Sequence, residues 1–296
     1  MKKYLFLLFL LHIFFTTSVL KAQELKAYQL YNKKGEPISF STFIEELSTK
    51  YDIILFGEFH DNALNHWLEL KTTQALYQKR GEDVVLGAEM FERDNAEEVK
   101  GYLADQLTEE HFAHDARLWP NYKTDYKPLL DFAKTHQLDF IATNVPRHYA
   151  QLVAQHNLDT LSHLKQEERP YLAKLPLKVS MRTPGYDQMK DMMKEHAGDK
   201  VQNYINAQAL KDATMAESIR QNWEKGKLFL HFNGNFHSQA YGGIYWYLKR
   251  QKKLLQRLRI AVITVVQTED KALSLPQDIE KTEAILVLPQ DMTRTF

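Results

Sequence analysis

One short strand that ends in polar residues constrains the fold of this chain more than any other feature. Residues 52–56 are almost continuously apolar, a pattern typical of a strand buried on both faces of a parallel sheet. The run ends at residues 57–60, and Asp61 or Asn62 can then cap a helix that continues toward Arg80. Because ligands bind beyond the carboxyl ends of strands in open α/β sheets, this junction is predicted to carry chemistry.

Further apolar runs predict more strands of the same kind. Strand candidates lie at residues 84–88, 140–143, 228–232, 260–266 and 284–288. Strands that alternate with helical segments are typical of a mostly parallel α/β sheet. This alternation lapses over residues 159–200, which are rich in charge and contain three prolines. We interpret that stretch as an inserted helical lid subdomain.

The amino terminus has the composition of a secretory signal peptide. Lys2 and Lys3 precede an uncharged run over residues 4–20, and the small residue Ala22 follows. A membrane anchor helix is the alternative, but 17 residues are short for a span, which needs about 20. We therefore expect a signal peptide over residues 1–22 and a mature domain over 23–296, exported to the periplasm or the cell envelope.

Composition excludes several classes of function. The sequence contains no cysteine, which rules out disulfides, thiolate metal sites, a cysteine nucleophile and a lipid anchor on cysteine. Its 38 basic residues equal its 38 acidic residues, so no overall basic field favours nucleic acid. A P-loop, a Gly-x-Gly-x-x-Gly fingerprint and the Gly-x-Ser-x-Gly elbow of serine hydrolases are also absent from the sequence.

Two Gly-x-x-His tetrapeptides, at residues 57–60 and 234–237, each follow a predicted strand directly. Chance alone gives roughly 0.4 such matches in a chain of this composition, so the repeated context carries more weight than the motif itself. If both strands run parallel in one sheet, the two histidines lie at the same edge. Glycine there lets the backbone turn sharply and approach a ligand closely.

Polar residues from other strand ends are expected at the same edge. Glu58 lies within the first tetrapeptide, Glu89 follows the next strand, and Asn144 and Arg147 follow the strand after that. Imidazole and carboxylate groups can bind a divalent transition metal or transfer protons. We therefore take four residues as candidate metal ligands or catalytic groups: Glu58, His60, Glu89 and His237. The alternative is that these are turn residues whose side chains bond to nearby backbone.

A stretch rich in methionine and tyrosine allows two interpretations. Within residues 186–193, Met189, Met192 and Met193 can pack into a core as part of an amphipathic helix. Alternatively, they form a flexible apolar cover over a large flat ligand, with Tyr186 as an oxygen ligand to ferric iron, since tyrosine is an attested haem ligand. Other tyrosines that could serve are Tyr122, Tyr126, Tyr149 and Tyr241.

The motifs, in order and spacing, resemble those of the ChaN-like, iron-regulated haem-binding proteins of bacteria. The matching pieces are residues 54–60, residues 87–91, Trp119-x-x-Tyr122, residues 142–147, Ala207-Gln208-x-x-x-Asp212 and residues 234–237. The resemblance implies a three-layer α/β fold and a role in haem or iron uptake at the cell envelope. It also implies haem as cofactor, a homodimer around the ligand and an outer-membrane haem receptor as partner. We take Tyr186, Met189, Met193 and Arg147 as the candidate haem-contacting residues.

A wider superfamily with paired Gly-x-x-His motifs looks similar and suggests a second function. It includes erythromycin-esterase-like hydrolases and the Tiki/TraB proteins, some of them metal-dependent proteases. On this alternative the chain is a metal-dependent hydrolase, in which the four strand-end residues named above hold a divalent metal ion or activate water.

Overall fold

A computed structural model describes residues 25–250 and 258–296 of the chain. The predicted signal peptide over residues 1–22 lies outside the described residues. The strands are β1 (Gln29–Asn32), β2 (Pro37–Ile38), β3 (Ile53–Glu58), β4 (Val84–Glu92), β5 (Phe140–Asn144), β6 (Leu228–Gly234), β7 (Ile260–Thr268) and β8 (Ala284–Pro289).

Helices connect most of these strands. They are α1 (Phe40–Lys50), α2 (Ala63–Arg80), α3 (Ala96–Leu103), α4 (Glu109–Asp115), α5 (Lys127–Thr135), α6 (Arg147–His156), α7 (Tyr186–Ala197), α8 (Val201–Asn222) and α9 (Gly243–Arg250). A single π-helical turn, Tyr122–Tyr126, leads into α5. No helix in the described parts of the chain is long and apolar enough to cross a membrane.

The strands form one sheet in the order β2-β1-β8-β7-β3-β6-β4-β5. Every pairing from β8 to β5 is parallel, whereas β1 pairs antiparallel with both β2 and β8. The prediction of a mostly parallel α/β sheet is therefore confirmed. Because β6 pairs with both β3 and β4, the carboxyl ends of these three strands adjoin at one edge, which we call the rim.

Helices cover both faces of the sheet, so the three-layer architecture is also confirmed. Alternate residues of a strand point to opposite faces, and in β3 Ile54 and Phe56 pack in the core beneath α1, α2, α3 and α5. Ile53 and Leu55 pack instead against α8 and α9. We call these two sides the α2 layer and the α8 layer. Helices α6 and α7 pack on the flanks of α8.

Two residues, Asp61 and Asn62, are predicted as possible N-caps of α2, and the second is confirmed. The Asn62 side chain accepts a hydrogen bond from the backbone N–H of Asn65 at 2.9 Å, so Asn62 rather than Asp61 is the N-cap. Within residues 159–200 the long helix is α7, and the remainder consists of short 3-10 turns and irregular chain. That this stretch acts as a lid stays a prediction.

Candidate functional site

Two strand-end carboxylates at the rim point into opposite layers. Glu58 has the same parity in β3 as Ile54 and Phe56, so its side chain enters the α2 layer. Glu89 has the parity of Val85, which packs in the α8 layer. Both carboxylates are almost fully buried. The rim therefore carries two polar clusters, one on each side of the sheet.

Glu58 is held from within the α2 layer. Its Oε1 accepts hydrogen bonds from the Tyr126 hydroxyl at 2.8 Å and from His60 Nδ1 at 2.6 Å. Burial by itself would raise the pKa of Glu58, but the bond from His60 and the charges of His66 and His60 lower it. The Glu58 charge in turn raises the pKa of Tyr126, which is already raised by burial. Tyr126 is thus a neutral donor.

The first turns of α2 bring two more ionisable groups beside Glu58. His66 Nδ1 lies 3.0 Å from Glu69 Oε2, and His66 Nε2 lies 3.1 Å from the carbonyl oxygen of His60. Burial opposes a charge on His66, yet the carboxylates of Glu69 and Glu58 raise its pKa to about 10. Burial and the Glu58 charge raise the pKa of Glu69 well above its usual range.

On the α8 side a histidine lies between two buried carboxylates. His237 Nε2 is 3.0 Å from Glu89 Oε1, and His237 Nδ1 is 2.5 Å from Asp212 Oδ1. Glu89 Oε2 also accepts the backbone N–H of Gly234 at 2.9 Å, and the Tyr186 hydroxyl donates to Asp212 Oδ2 at 2.7 Å. The result is a continuous hydrogen-bonded chain from Tyr186 to the rim.

The charges within this hydrogen-bonded series of side chains decide which of its groups ionise. Burial disfavours a charged His237, but Glu89 and Asp212 outweigh it and raise the pKa of His237 to about 9. Burial would raise the pKa of Glu89, yet the adjacent His237 charge holds that pKa well below the usual range. Burial prevails at Asp212 and raises its pKa. His237 is therefore an imidazolium at neutral pH, paired chiefly with the Glu89 carboxylate.

His60 lies between the two clusters and is the most open member of the rim set. Its side chain is 34% exposed, against 6% for His237. A Cβ placed on Gly234 would lie 2.8 Å from His60 Nε2, so glycine is required there for the close approach. The charges of Glu58 and Glu89 both raise the pKa of His60 against the effect of burial. The structure thus brings the four predicted rim residues together.

One stripe of α8 borders the rim. Tyr204, Gln208 and Lys211 are the more exposed positions of a largely buried helix segment, and their spacing of four and three places them on one face. The Gln208 amide lies 3.0 Å from His237 Nδ1, and the charge of Lys211 acts on Glu89. The face that carries Tyr204, 38% exposed, is therefore the face turned to the rim.

The predicted haem-contacting residues are placed differently from the rim set. Tyr186 is only 2% exposed, and its hydroxyl is engaged by Asp212. Met189 and Met193 pack on the cluster around Tyr186 and Val201, as the core interpretation of this stretch describes. For Met192 that interpretation is wrong, because its side chain is 56% exposed. Arg147 donates from Nε to Glu92 Oε1 at 2.8 Å and keeps half of its side chain exposed. Their contact with haem stays a prediction.

Sequence reasoning missed several residues of the site. They lie on helices, so the pattern of polar residues after a strand could not identify them. These residues are Asp212, Gln208, His66, Glu69 and Tyr204. Two weak indications existed: the spacing of His66 and Glu69 puts them on one helix face, and Asp212 stood in the Ala207-to-Asp212 motif. Neither indicates which strand the helix covers, so neither could be joined to the rim.

Comparison with known proteins identifies a family and a shared fold. A family described as "Haem-binding uptake, Tiki superfamily, ChaN" matches residues 43–248. A solved structure of ChaN from Campylobacter jejuni, described as binding haem cofacially, superposes with a TM-score of 0.64 at 16% identity. The match covers 89% of this chain and 97% of that one, and it shows that the two share a fold.

Weaker similarities extend to other proteins. The type III effector HopBA1 matches with a TM-score of 0.46 and 12% identity over 84% of this chain and 92% of that one. A mutant of the erythromycin esterase EreC matches with a TM-score of 0.44 and 11% identity, covering 89% and 83%. Among curated proteins, none matches this sequence significantly.

Proposed function

The chain belongs to the ChaN family of haem-binding uptake proteins in the Tiki superfamily, and from this membership we propose that it binds haem at the rim. The observation that carries the proposal is the partly exposed stripe of α8, in which Gln208 contacts His237 and Lys211 acts on Glu89. Tyr204 lies on the same helix face and is 38% exposed. Family membership supports haem as the ligand, and the stripe supports the place.

The groups at this edge suit the chemistry of haem. A porphyrin needs apolar surface, and Phe236, between Asn235 and His237, is 47% exposed. Its propionates need cationic partners, and Lys211 supplies one beside Glu89. Ferric iron needs an open oxygen or nitrogen ligand, which Tyr204 and the partly open His60 offer. When bound, the haem itself would supply the iron and its redox chemistry.

Tyr204 is better placed than Tyr186 to hold the iron. A phenolate ligand must be accessible and able to lose its proton. Tyr204 is 38% exposed, whereas Tyr186 is 2% exposed. Burial and the charge of Asp212 also raise the pKa of Tyr186 well above its usual range. We therefore assign the iron ligand to Tyr204 and give Tyr186 the role of positioning Asp212.

A haemin titration of residues 23–296 tests this assignment. We expect a saturable Soret band with a tyrosinate-type, high-spin spectrum in the unaltered protein. Tyr204→Phe should lose or shift that band, because phenylalanine has no oxygen for the iron. Tyr186→Phe is the matched control: it should keep the band and lower the free energy of unfolding by about 1 kcal/mol, the typical value of one hydrogen bond.

Two results would contradict the proposal. If saturating haemin leaves both the absorbance spectrum and the melting temperature of the unaltered protein unchanged, the chain does not bind haem. If Tyr186→Phe loses the spectrum and Tyr204→Phe keeps it, haem binding stands but the ligand is Tyr186, one of the tyrosines that the sequence left open.

We further propose that the protein acts after export, as a homodimer that exchanges haem with an outer-membrane receptor. The basic, then apolar amino terminus supports export, and the description of Campylobacter ChaN as a cofacial haem binder makes a paired arrangement the natural one to test. Light scattering during the haemin titration should register a doubling of mass, and cell fractionation should recover the chain in the periplasm or envelope. A constant monomer mass would refute the homodimer, and recovery in the cytoplasm would refute export.

One observation favours a second function, a metal-dependent hydrolase. His237 is hydrogen-bonded to Glu89 and Asp212, and His60 to Glu58, so the rim holds two carboxylate–histidine pairs of the kind that transfer protons. A metal ion bound here would lower the pKa of a coordinated water. Glu89→Gln should abolish ester or peptide hydrolysis, because it removes the carboxylate that is paired with His237. Absence of any hydrolysis with added Mn²⁺, Co²⁺ or Zn²⁺ would remove this candidate.

A further inference from the structure

The α2 side of the rim contains a buried set of three groups, of which only Glu58 has a role in either proposed function. Glu58, His66 and Glu69 each offer a ligand atom within 4.8 Å of the other two. We propose that these three side chains form a binding site for one divalent first-row transition ion, separate from the Glu89–His237–Asp212 chain on the opposite side of the sheet.

The first argument is a buried oxygen without a partner. Glu58 is 2% exposed, and its Oε2 has no hydrogen-bond partner anywhere in the described part of the chain. An unpaired buried carboxylate oxygen is costly, because burial removes its hydration without a substitute. A cation bound between Glu58 and the two α2 residues would supply the missing partner.

The second argument is that groups from outside the set hold the outer atoms of all three residues: donors hold the two carboxylates, and the His60 carbonyl accepts from His66 Nε2. Glu58 Oε1 takes the Tyr126 hydroxyl and His60 Nδ1, and Glu69 Oε1 takes the Asn65 amide at 3.1 Å. The remaining atoms, Glu58 Oε2, Glu69 Oε2 and His66 Nδ1, are electron-pair donors left to one another. Outer contacts of this kind orient the ligands of protein metal sites.

The orientation of His66 fits a ligand role. A carbonyl oxygen can only accept a hydrogen bond, so the 3.1 Å contact between His66 Nε2 and the His60 carbonyl requires a proton on Nε2. Asp125 Oδ2, 3.5 Å from the same nitrogen, favours that proton as well. Nδ1 then faces Glu69 Oε2 at 3.0 Å, where either a shared proton or a metal ion must lie between the two atoms.

The composition of the set indicates the class of ion. Two carboxylates balance the charge of a divalent cation, and one imidazole favours a transition metal over Mg²⁺ or Ca²⁺. Mn²⁺, Fe²⁺ and Zn²⁺ all accept such mixed nitrogen and oxygen ligands. The set is distinct from the four rim residues predicted from the sequence, since it replaces His60, Glu89 and His237 with His66 and Glu69.

Co²⁺ is a convenient probe, because its visible absorption reports nitrogen and oxygen ligation directly. Haem-free protein, residues 23–296, is freed of metal with a chelator, incubated with Co²⁺ overnight at pH 7.5 because the site is buried, and titrated. We expect one Co²⁺ per chain. Glu69→Gln and His66→Gln should each weaken its affinity about 100-fold or more, since each removes a ligand atom. Co²⁺ at 100 times its Kd should raise the Tm by several degrees.

Glu89→Gln is the matched control, because it alters a buried rim carboxylate on the other face of the sheet. It should keep the Co²⁺ affinity within about threefold, and circular dichroism should establish that each variant is folded. The proposal is overturned if folded, unaltered protein binds no Co²⁺ stoichiometrically, or if Glu69→Gln binds it normally. Loss of binding in Glu89→Gln alone would assign the ion to the four strand-end residues instead. Because no haem is added, failure here leaves the haem proposal intact.

Discussion

At the scale of single residues, Gly57 explains how three adjacent strands are locked together beside the rim. Asn235, directly after β6, reaches across β3 to β7, where its side chain accepts the N–H of Val265 at 3.0 Å and donates to the carbonyl of Val265 at 2.7 Å. The Asn235 side chain passes over Gly57, because β3 lies between β6 and β7. A Cβ on Gly57 would collide with Asn235 Oδ1 and lie 2.8 Å from the carbonyl oxygen of Ile263.

We therefore expect Gly57→Ala to lower the free energy of unfolding by about 1–3 kcal/mol, the usual cost of overpacking. Urea denaturation measures this value. The control is a double-mutant cycle with Asn235→Ala. In the Asn235→Ala background, Gly57→Ala should lower the free energy of unfolding by a smaller amount, since the clash with the Asn235 side chain is absent. Equal costs in both backgrounds would show that the Asn235 contact is not the reason for glycine at this position.

At the scale of elements, α2 and α8 complete the rim from opposite faces of the sheet. The amino-terminal turns of α2 supply His66 and Glu69, and the central part of α8 supplies Gln208 and Asp212. Each helix reaches only the carboxylate on its own side, because Glu58 and Glu89 point in opposite directions. The position at which α2 begins therefore decides whether His66 meets Glu58.

The N-cap of α2 can be tested by Asn62→Ala, which removes the oxygen that accepts the Asn65 N–H. We expect a loss of about 0.5–2 kcal/mol in the free energy of unfolding, the usual range for a lost cap. Asn62→Ser keeps a capping oxygen and should recover most of that loss. If serine and alanine prove equally destabilising in thermal denaturation, the capping bond does not determine the start of α2.

At the scale of the whole molecule, the buried histidines make stability depend on pH. The carboxylates of Glu89 and Asp212 raise the pKa of His237 to about 9, and those of Glu69 and Glu58 raise the pKa of His66 to about 10. A histidine whose pKa is higher in the folded state stabilises it fully below about pH 6.5, the unfolded value. That stabilisation is lost as the pH rises through the folded value.

We therefore expect the free energy of unfolding of metal-free protein to fall steadily between about pH 6.5 and 10. The share of His237 is on the order of 3 kcal/mol. Urea titrations at several pH values measure this slope. His237→Gln removes one titrating group and should make the slope shallower up to about pH 9. Constant or rising stability over this interval would show that these histidines are not charged in the folded state.

The sequence by itself determined much of this protein. Apolar runs of strand length that end in polar residues identified the six strands β3 to β8, though not β1 and β2, and the rim residues Glu58, Glu89, His60 and His237. This works because an abrupt change from apolar to polar residues is a local property of the chain. Strands separated by helices also determined that the sheet would be mostly parallel.

Only the tertiary structure decided which residues join the rim from the helices. The pairing of β3 with β6 joins segments about 175 residues apart, and no local pattern specifies it. The pairing of β4 with β6, which also joins distant segments, places His237 beside Glu89. Strand parity sends Glu58 into the α2 layer, toward His66 and Glu69, and Glu89 into the α8 layer, toward Asp212. A helix whose buried face also carries polar groups has the same sequence periodicity as an ordinary helix. Which of its residues belong to the rim is therefore known only once the sheet that it covers is known.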